Sequence, residues 1–544
     1  MILLLLSSVL IIPALMGLGK AVEHFLGTLC TGISGNILLG IIGISLTWCI
    51  IAFFFPLNIY IEILTLLTGF FYFFKEKLFL KLYHFSKKES ALALGIILII
   101  AFCSSYYPFI LDHFGYYVPT IQWLTEYGLV KGISNLDLTL GQMSVWHIFQ
   151  AGFSNFSDPF LRMNAIILII YTIYIIEKKS WIQLCFIPVL LLFSQSPSPD
   201  LPVIIFSLII LNEILSGNRK TDLLFGFSIF VFAIKPTMIW LPILSFLYST
   251  FVVKSNGKSL FFGASVLLLF FVKNIWTFGY PVFPVSVIDL GVSWKPNPEI
   301  LQKSSQYAIL KTYDMQYSYQ EIQNFSWWEY VKNWLFLNGI KSKINILFIL
   351  SLLAFTIFAF LKKNKIATLI LVSILIKSII VLLFSAQYRF FIDVFFVLFF
   401  ILFFKQFNKT ISITAFSGLN IVLIILLTFP SLLQQYLPSF KLGSFMGTFE
   451  KKQLVYPSVY HYHSFDSFTT GNLKFNVSKN YPYNFETPIP AISRSYIVDD
   501  IHAGIFPQYI DEKNIKKGFI WKKLNAKQIK DAQNIIYSIK NTHQ

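Results

Sequence analysis

Charged residues are scarce in this sequence, and their scarcity excludes most soluble folds. They make up 13% of the chain, whereas soluble domains average about 25%. Hydrophobic residues make up 56% of the 544 residues, so too few polar side chains remain to cover a soluble core of this size. Repeated apolar runs of about 20 residues instead predict an all-α polytopic membrane protein.

Cysteine is also rare, and the usual nucleotide and zinc motifs are absent. Cys30, Cys49, Cys103 and Cys185 lie in or beside apolar runs, which predicts small core residues rather than a disulfide framework. There is no Walker A loop, no GxGxxG after a strand and no Cys/His zinc array. We therefore assign no cofactor and no metal ligands from the sequence, and a bound divalent cation stays an open alternative.

Acidic residues are outnumbered by basic ones, which leaves a net charge of +17. The lysines cluster in short loops between apolar runs, as the positive-inside rule describes for membrane proteins. We therefore expect the lipid bilayer, and not nucleic acid, to be the partner of this charge.

Hydropathy windows predict about fourteen membrane spans. The first, at 2–18, lacks the basic start and the small-residue cleavage site of a secretory signal, so we expect it to remain as a helix. The predicted spans are 2–18, 36–54, 57–74, 91–107, 161–176, 181–194, 200–215, 222–235, 237–252, 259–274, 344–361, 366–384, 389–404 and 411–429.

The charges of the loops predict which side each loop occupies. The short basic loops fall on one side when the spans are counted in order, and that side is predicted to be cytoplasmic. These loops are 75–90, 177–180, 216–222, 254–259, 362–365 and 405–409.

Long polar segments fall on the opposite side. They are the outer loops 108–160 and 275–343 and a C-terminal region at 434–544, whose polar composition predicts a small mixed fold. We thus predict a transmembrane region at 1–433 in the cytoplasmic membrane of a bacterium, with its outer loops and C-terminal region extracytoplasmic.

The first outer loop carries the strongest candidate for catalysis. Asp112 directly follows the fourth span, at the membrane–water boundary, where partial desolvation suits a carboxylate to act as a base. His113 and Tyr116 lie within one helical turn of it and would share its face. The alternative is that Asp112 caps the next short helix.

Glu126 and Lys131 follow in the same loop and could contact a polar head group. As solvated loop residues they would need no function.

Two cations interrupt the apolar sequence further on. Lys235 lies within "FAIKPTMIW", where a lysine at mid-bilayer costs about 2.5–3.5 kcal/mol, so it should face a cavity or a partner. Its alternative is to reach the surface beside a hairpin tip at Pro236. Arg389, in "QYRFF", has a planar fork suited to phosphate, or it could pair with Asp393 four residues on.

An aspartate at the end of a span that opens a long outer loop resembles the GT-C superfamily of polytopic glycosyltransferases. "DHFGYYVPTIQWLTEYGLVKGISNL", "GYPVFP…SWKPNPE" and "QYRFF" are also similar to a group of uncharacterised bacterial multi-pass membrane proteins. The chain departs from that group's pattern with Tyr-Tyr at 116–117 in place of Tyr-His. It also has Gln387 and Tyr388 before the arginine, where proline and aspartate are common.

The resemblance implies an inverting transfer of a sugar from a polyprenyl-phosphate donor to a cell-envelope glycan, lipid or protein. Asp112 would be the general base, and Lys235 and Arg389 would hold the donor phosphate. The sugar or acceptor would be oriented by His113, Tyr116 and Glu126, and a head group would be contacted by Lys131.

Two other functions stay open at this point. A transporter or flippase of lipid-linked saccharides would use buried cations and aromatics equally well. The chain shows no repeat of the 108–147 pattern in its second half, which favours an enzyme. A polysaccharide polymerase or ligase is the other alternative.

Overall fold

The chain is helical along most of its length, and a few helices are long enough to cross a bilayer. A computed structural model describes residues 1–436, 447–479 and 481–541. Seven helical segments in that part are long and apolar enough to cross a membrane, which indicates a membrane-embedded protein. The predicted all-α membrane class is confirmed at this level.

The α-helices are Ile2–Leu26, Ile33–Ala52, Ile59–Lys75, Lys87–Cys103, Val118–Glu126, Val145–Ala151, Met163–Lys178, Ile187–Leu190, Asp200–Leu215, Thr221–Ile234, Trp240–Tyr248, Phe261–Phe278, Pro298–Thr312, Tyr319–Gln323, Trp327–Leu335, Ile340–Lys362, Lys365–Phe384, Ile392–Phe403, Lys409–Thr428, Pro430–Tyr436, Arg494–His502 and Ala526–Asn541. Two π-helical turns cover His113–Tyr117 and Ser249–Val253.

Every predicted span coincides with a helical segment, but the segments differ in length. The long apolar segments are Ile2–Leu26, Ile33–Ala52, Pro236–Val253, Gly257–Phe278, Ile340–Lys362, Lys365–Phe384 and Lys409–Thr428. Shorter apolar segments occupy Trp181–Phe193, Thr221–Ile234 and Ile392–Phe403. The count of fourteen crossings therefore stays a prediction.

The N-terminal helix packs closely on its neighbours through glycine. A Cβ added to Gly17 would lie 1.8 Å from the carbonyl oxygen of Gly69, and one added to Gly19 would lie 1.6 Å from that of Asn36. Small residues at such crossings let helix backbones approach each other, as in membrane helix pairs. Ile2–Leu26 is thus an integral helix of the bundle, as expected for the first span.

Short polar residues define where the apolar runs become helical. The Ser86 hydroxyl accepts a hydrogen bond from the Glu89 amide at 3.3 Å, and the Glu89 carboxylate accepts one from the Ser86 amide at 3.0 Å. Asn58, Asn364 and Asn408 cap three other helices through their side-chain oxygens. Each cap supplies a partner to backbone amides that have none within the helix.

The C-terminal region combines helix and strand. Phe465–Thr470 pairs antiparallel with Leu473–Ser478, and Ile505–Tyr509 pairs antiparallel with Phe519–Lys523. Helix Arg494–His502 lies between the two hairpins in the chain. The predicted region 434–544 is described only in part, because residues 437–446, 480 and 542–544 lie outside the described residues.

This region docks on the first outer loop. The Phe519 amide donates to the Lys131 carbonyl at 3.0 Å, and the Ser458 amide donates to the Ser105 carbonyl at 2.9 Å. The Ser493 hydroxyl donates to the Asp137 carboxylate at 2.9 Å. The loop that follows the fourth predicted span is therefore covered by the end of the chain.

A buried ion pair joins two helices of the second half. The Lys377 ammonium on Lys365–Phe384 contacts the Asp393 carboxylate at the start of Ile392–Phe403. Asp393 also accepts a hydrogen bond from the Trp240 indole at 2.9 Å. Both charged side chains are buried, so each depends on the other for its solvation.

Replacing one partner should destabilise the fold strongly. We expect Lys377→Met to lower the free energy of unfolding by about 3–5 kcal/mol, because it leaves the Asp393 charge buried without its counter-ion. The measurement is thermal unfolding in detergent. Lys341→Met is the matched control: its pair with Asp314 is partly exposed, and its loss should cost about 0–1 kcal/mol. Equal melting temperatures for the two variants would contradict the prediction.

The Asp137 contact predicts a pH dependence of stability. Burial raises the pKa of Asp137 from 3.8 to about 6, although hydrogen bonds from Thr139 and Ser493 oppose the shift. A carboxyl with a raised pKa stabilises the fold fully below pH 4, and this contribution is lost as pH rises through 6. Between pH 4 and pH 7, the wild type should lose about 2 kcal/mol more stability than Asp137→Asn. Parallel curves of melting temperature against pH would contradict this.

Candidate active site

Asp112 and Arg389 meet although 277 residues separate them in the chain. The Arg389 Nη1 donates to the Asp112 Oδ2 at 3.3 Å. Asp112 makes no capping hydrogen bond to the helical turn that follows it, so the capping alternative is wrong. The predicted pairing of Arg389 with Asp393 is also wrong, because the partner of Asp393 is Lys377.

The local geometry explains why Arg389 does not pair with Asp393. The pairing rule for residues four apart requires that both lie on one α-helix. Arg389 lies in the 3₁₀ turn Tyr388–Phe390, and the helix begins only at Ile392. The arginine is therefore free to point towards the first outer loop.

A second ion pair lies beside the first. The Lys235 ammonium contacts the Asp200 carboxylate, and it also lies 3.4 Å from the Arg389 carbonyl oxygen. Lys235 thus has the partner that its position in an apolar stretch required. We define the charge cluster as Asp112, Asp200, Lys235 and Arg389.

The turn directly before Asp200 is held by the buried side-chain amide of Asn164. Asp200 is the first residue of helix Asp200–Leu215, and its amide donates to the Ser198 hydroxyl at 3.2 Å. The Asn164 side chain donates to the carbonyls of Ser196 and Ser198 at 2.8 and 2.9 Å, and it accepts from the Trp146 indole at 3.0 Å. These bonds fix the turn that presents the carboxylate.

Lys235 occupies a break between two helical segments. Thr221–Ile234 ends directly before it, and Lys235 itself has an extended backbone. The Ser144 hydroxyl donates to the Ile234 carbonyl at 2.7 Å, which satisfies an acceptor left free at the helix end. Pro236 follows and cannot continue the hydrogen-bond pattern. The break aims the lysine at Asp200.

Arg389 is positioned by a rigid segment. The Trp334 indole donates to the Ala386 carbonyl at 2.8 Å, and the Ala386 amide donates to the Thr312 hydroxyl at 3.1 Å. The Arg389 guanidinium also lies over the Phe390 ring, 5.1 Å from its centre. Contacts from the second outer loop therefore set the place of the arginine.

Further side chains act electrostatically on the cluster. Burial lowers the pKa of Lys311. The positive charge of Arg389 lowers that pKa further, whereas the Asp112 carboxylate raises it. Burial raises the pKa of Tyr116, and the nearby Asp112 carboxylate adds to the increase. Lys311 is thus a third cation near the aspartate, and Tyr116 lies in the cluster's field.

The two ion pairs differ in access. The side chains of Arg389 and Asp112 are 43% and 36% exposed. Those of Lys235 and Asp200 are 12% and 18% exposed. The Asp112–Arg389 pair is therefore the more accessible of the two to a ligand from solvent.

Three predicted site residues lie away from these pairs. His113 is buried in the π-helical turn, and burial, aided by Arg162, lowers its pKa well below the ordinary value. Glu126 is exposed and accepts from the Gln122 amide at 3.1 Å. The Lys131 ammonium lies 4.7 Å from the ring centres of both Trp276 and Trp294.

The turn that follows Asp112 is π-helical and not α-helical. The expected common face rests on α-helical spacing, whereas a π-helical turn pairs residues five apart and changes the angle between successive side chains. Arg162 is the charged group that lowers the pKa of His113 beyond the effect of burial, whereas Asp112 raises the pKa of Tyr116.

Asp200 and Lys311 were not among the residues predicted from sequence. The run "SPSPD" at 196–200 gave a signal, because it places a carboxylate after two prolines between apolar segments. Lys311 lies on an ordinary polar helix and gives no comparable signal.

A protein-family model matches more than half of the chain. The family model described as a domain of unknown function, DUF8201, matches residues 1–396. All four residues of the charge cluster fall within that range, and the C-terminal region falls outside it. No curated protein and no solved structure gives a match.

Proposed function

The chain belongs to the DUF8201 family, and we propose that it is a GT-C-type glycosyltransferase that uses a polyprenyl-phosphate sugar. The supporting observation is the half-exposed Asp112–Arg389 pair beside the less exposed Asp200–Lys235 pair. Transfer from this donor requires a base for the acceptor hydroxyl and fixed cations for the leaving phosphate. The charge cluster offers both in one place.

In the proposed reaction, Asp112 accepts the proton of the acceptor hydroxyl. The hydroxyl oxygen attacks the anomeric carbon from the face opposite the phosphate, and the bond from that carbon to the phosphate oxygen breaks. The electron pair of this bond leaves with the polyprenyl phosphate. The configuration at the anomeric carbon is inverted.

The cations would stabilise the charge that grows on the leaving phosphate. Arg389 has five N–H donors in a planar fork, and its contact with Asp112 uses Nη1. Lys311 lies close enough to act on the same group. Lys235 would support the site from the neighbouring pair while Asp200 balances its charge.

The proposal includes a membrane arrangement. Fourteen crossings would combine the long apolar helices with shorter ones packed among them, and the charge cluster would face the extracytoplasmic side of a bacterial cytoplasmic membrane. The loop charges support this orientation through the positive-inside rule. The acceptor would be an envelope glycan, a lipid or a protein.

The experiment measures transfer of labelled sugar from membrane lipid to envelope material in cells lacking the protein. We expect Asp112→Asn to reduce transfer by about 100-fold to 10,000-fold, because it removes the base and preserves the shape of the side chain. Arg389→Lys should reduce it by about 100-fold or more, because lysine keeps the charge but loses the planar fork.

Asp466→Asn is the matched control, since it makes the same chemical change at an aspartate of similar exposure, 37% against 36%, outside the cluster. Its transfer should equal that of the wild type at equal membrane levels. Wild-type transfer by Asp112→Asn would refute the proposal. In that case, the transporter alternative would be tested by measuring movement of lipid-linked sugar across the membrane.

A further inference from the structure

A group of metal-ligand side chains lies in the C-terminal region, apart from the charge cluster. His461 Nδ1 lies 3.1 Å from Glu486 Oε1, and His463 Nδ1 lies 3.6 Å from Glu486 Oε2. The ligand atoms all lie within 4.8 Å of one another. Within the described part of the chain, these three side chains form a group that could hold a single metal ion.

The backbone explains why the two histidines point the same way. Residues 461–464 lead into strand Phe465–Thr470, and the Ser464 carbonyl accepts from the Lys479 amide at 2.9 Å, which continues the pairing of that strand towards the histidines. Side chains two apart on an extended chain lie on the same face. The imidazole rings accordingly lie nearly parallel, with centres 5.9 Å apart and planes 19° apart.

Ion pairing alone accounts poorly for this convergence. Both histidine side chains are exposed, at 63% and 75%, and could be solvated by water in many rotamers. Exposed ion pairs contribute only about 0–1 kcal/mol. A bound metal ion would stabilise the common orientation of the three side chains far more strongly.

We propose that His461, His463 and Glu486 bind a divalent transition metal of the zinc class. Two imidazole nitrogens and one carboxylate oxygen are typical ligands for this class, whereas Mg²⁺ and Ca²⁺ prefer oxygen alone. Tetrahedral zinc with bonds of about 2.1 Å would separate neighbouring ligand atoms by about 3.4 Å. The Glu486 Oε2 atom lies 3.4 Å from His461 Nδ1 and 3.6 Å from His463 Nδ1, close to that separation.

The ion would fasten one part of the C-terminal region to another. Glu486 follows a loop that packs on the π-helical turn of the first outer loop. The Phe485 ring stacks on Phe114 with centres 4.6 Å apart, and the Phe485 amide donates to the Phe114 carbonyl at 3.2 Å. The Tyr483 ring lies over Gly115. Metal binding would therefore hold the 483–486 loop against residues adjoining Asp112.

The test uses the full chain in detergent, purified with an affinity tag free of histidine and stripped of metal with a chelator. Zn²⁺ is then titrated in competition with a chromophoric chelator. We expect one equivalent to bind to the wild type. His461→Ala and His463→Ala should each weaken binding by at least about 100-fold. Loss of a residue that only supports a ligand costs up to about 100-fold, and loss of a direct ligand should cost at least as much.

His502→Ala is the control, because it removes an exposed histidine from the same region without touching the group. It should bind Zn²⁺ as the wild type does. The absorption spectrum of Co²⁺ bound to the wild type should show tetrahedral coordination, and it tests the site without any variant.

Three results would overturn the proposal. One is the lack of a stoichiometric Zn²⁺ site in the wild type. Another is equal Zn²⁺ affinity in the wild type and the His461→Ala/His463→Ala double variant. The third is displacement of Zn²⁺ by Mg²⁺ at similar concentrations. None of these depends on glycosyl transfer, so the metal site and the proposed function fail or stand separately.

Discussion

The position of the candidate active site depends on one buried guanidinium. Arg162 is 1% exposed and lies directly before helix Met163–Lys178. It donates to the carbonyls of Ser104 at 2.9 Å, Phe160 at 2.7 Å and Ser458 at 2.7 Å. One side chain thus joins the end of Lys87–Cys103, the close of the first outer loop and the C-terminal region. Asp112 lies a few residues after the first of these contacts.

Buried cations elsewhere in the bundle follow the same physical rule. A charge removed from water must meet a counter-charge or several dipoles, or the fold loses several kcal/mol. Lys273 meets the carbonyls of Gln142 and Met143 at 2.7 and 3.1 Å, and Lys377 meets Asp393. These groups are closed to solvent. The Asp112–Arg389 pair differs because it is half exposed, which separates a site open to ligands from charges that only hold helices together.

Sequence reasoning succeeded where the controlling interaction is local. Apolar runs become helices because the backbone must satisfy its own hydrogen bonds in a nonpolar medium, so hydropathy located the helical segments. Partner choice failed where it depends on tertiary structure. The Asp393 alternative for Arg389 relied on helical spacing, and the 3₁₀ turn at Tyr388–Phe390 removed that spacing. The turn after Asp112 is π-helical, so the α-helical spacing assumed for His113 and Tyr116 does not apply there either.

Asp200 shows a different limit of sequence reasoning. Its importance rests on Lys235, 35 residues later, and on the amide of Asn164 that holds its turn. Neither relation has a spacing that a sequence pattern could reveal. The position of Lys235 in an apolar stretch predicted that a partner exists, because the cost of an isolated charge there is high. It did not predict which carboxylate that partner is.

The contact between Asp112 and Arg389 has a consequence for the proposed chemistry. The Asp112 Oδ2 atom already accepts a hydrogen bond from the Arg389 guanidinium, so this contact must open before that oxygen can face an acceptor hydroxyl. A donor phosphate carries more charge than one carboxylate and fits the planar fork, so it would compete for Arg389. Trp334 and Thr312 fix the segment of the arginine, and the Asp112 side chain is 36% exposed. Arrival of the donor would therefore release Asp112, and the base would become active only when a sugar is present to be transferred.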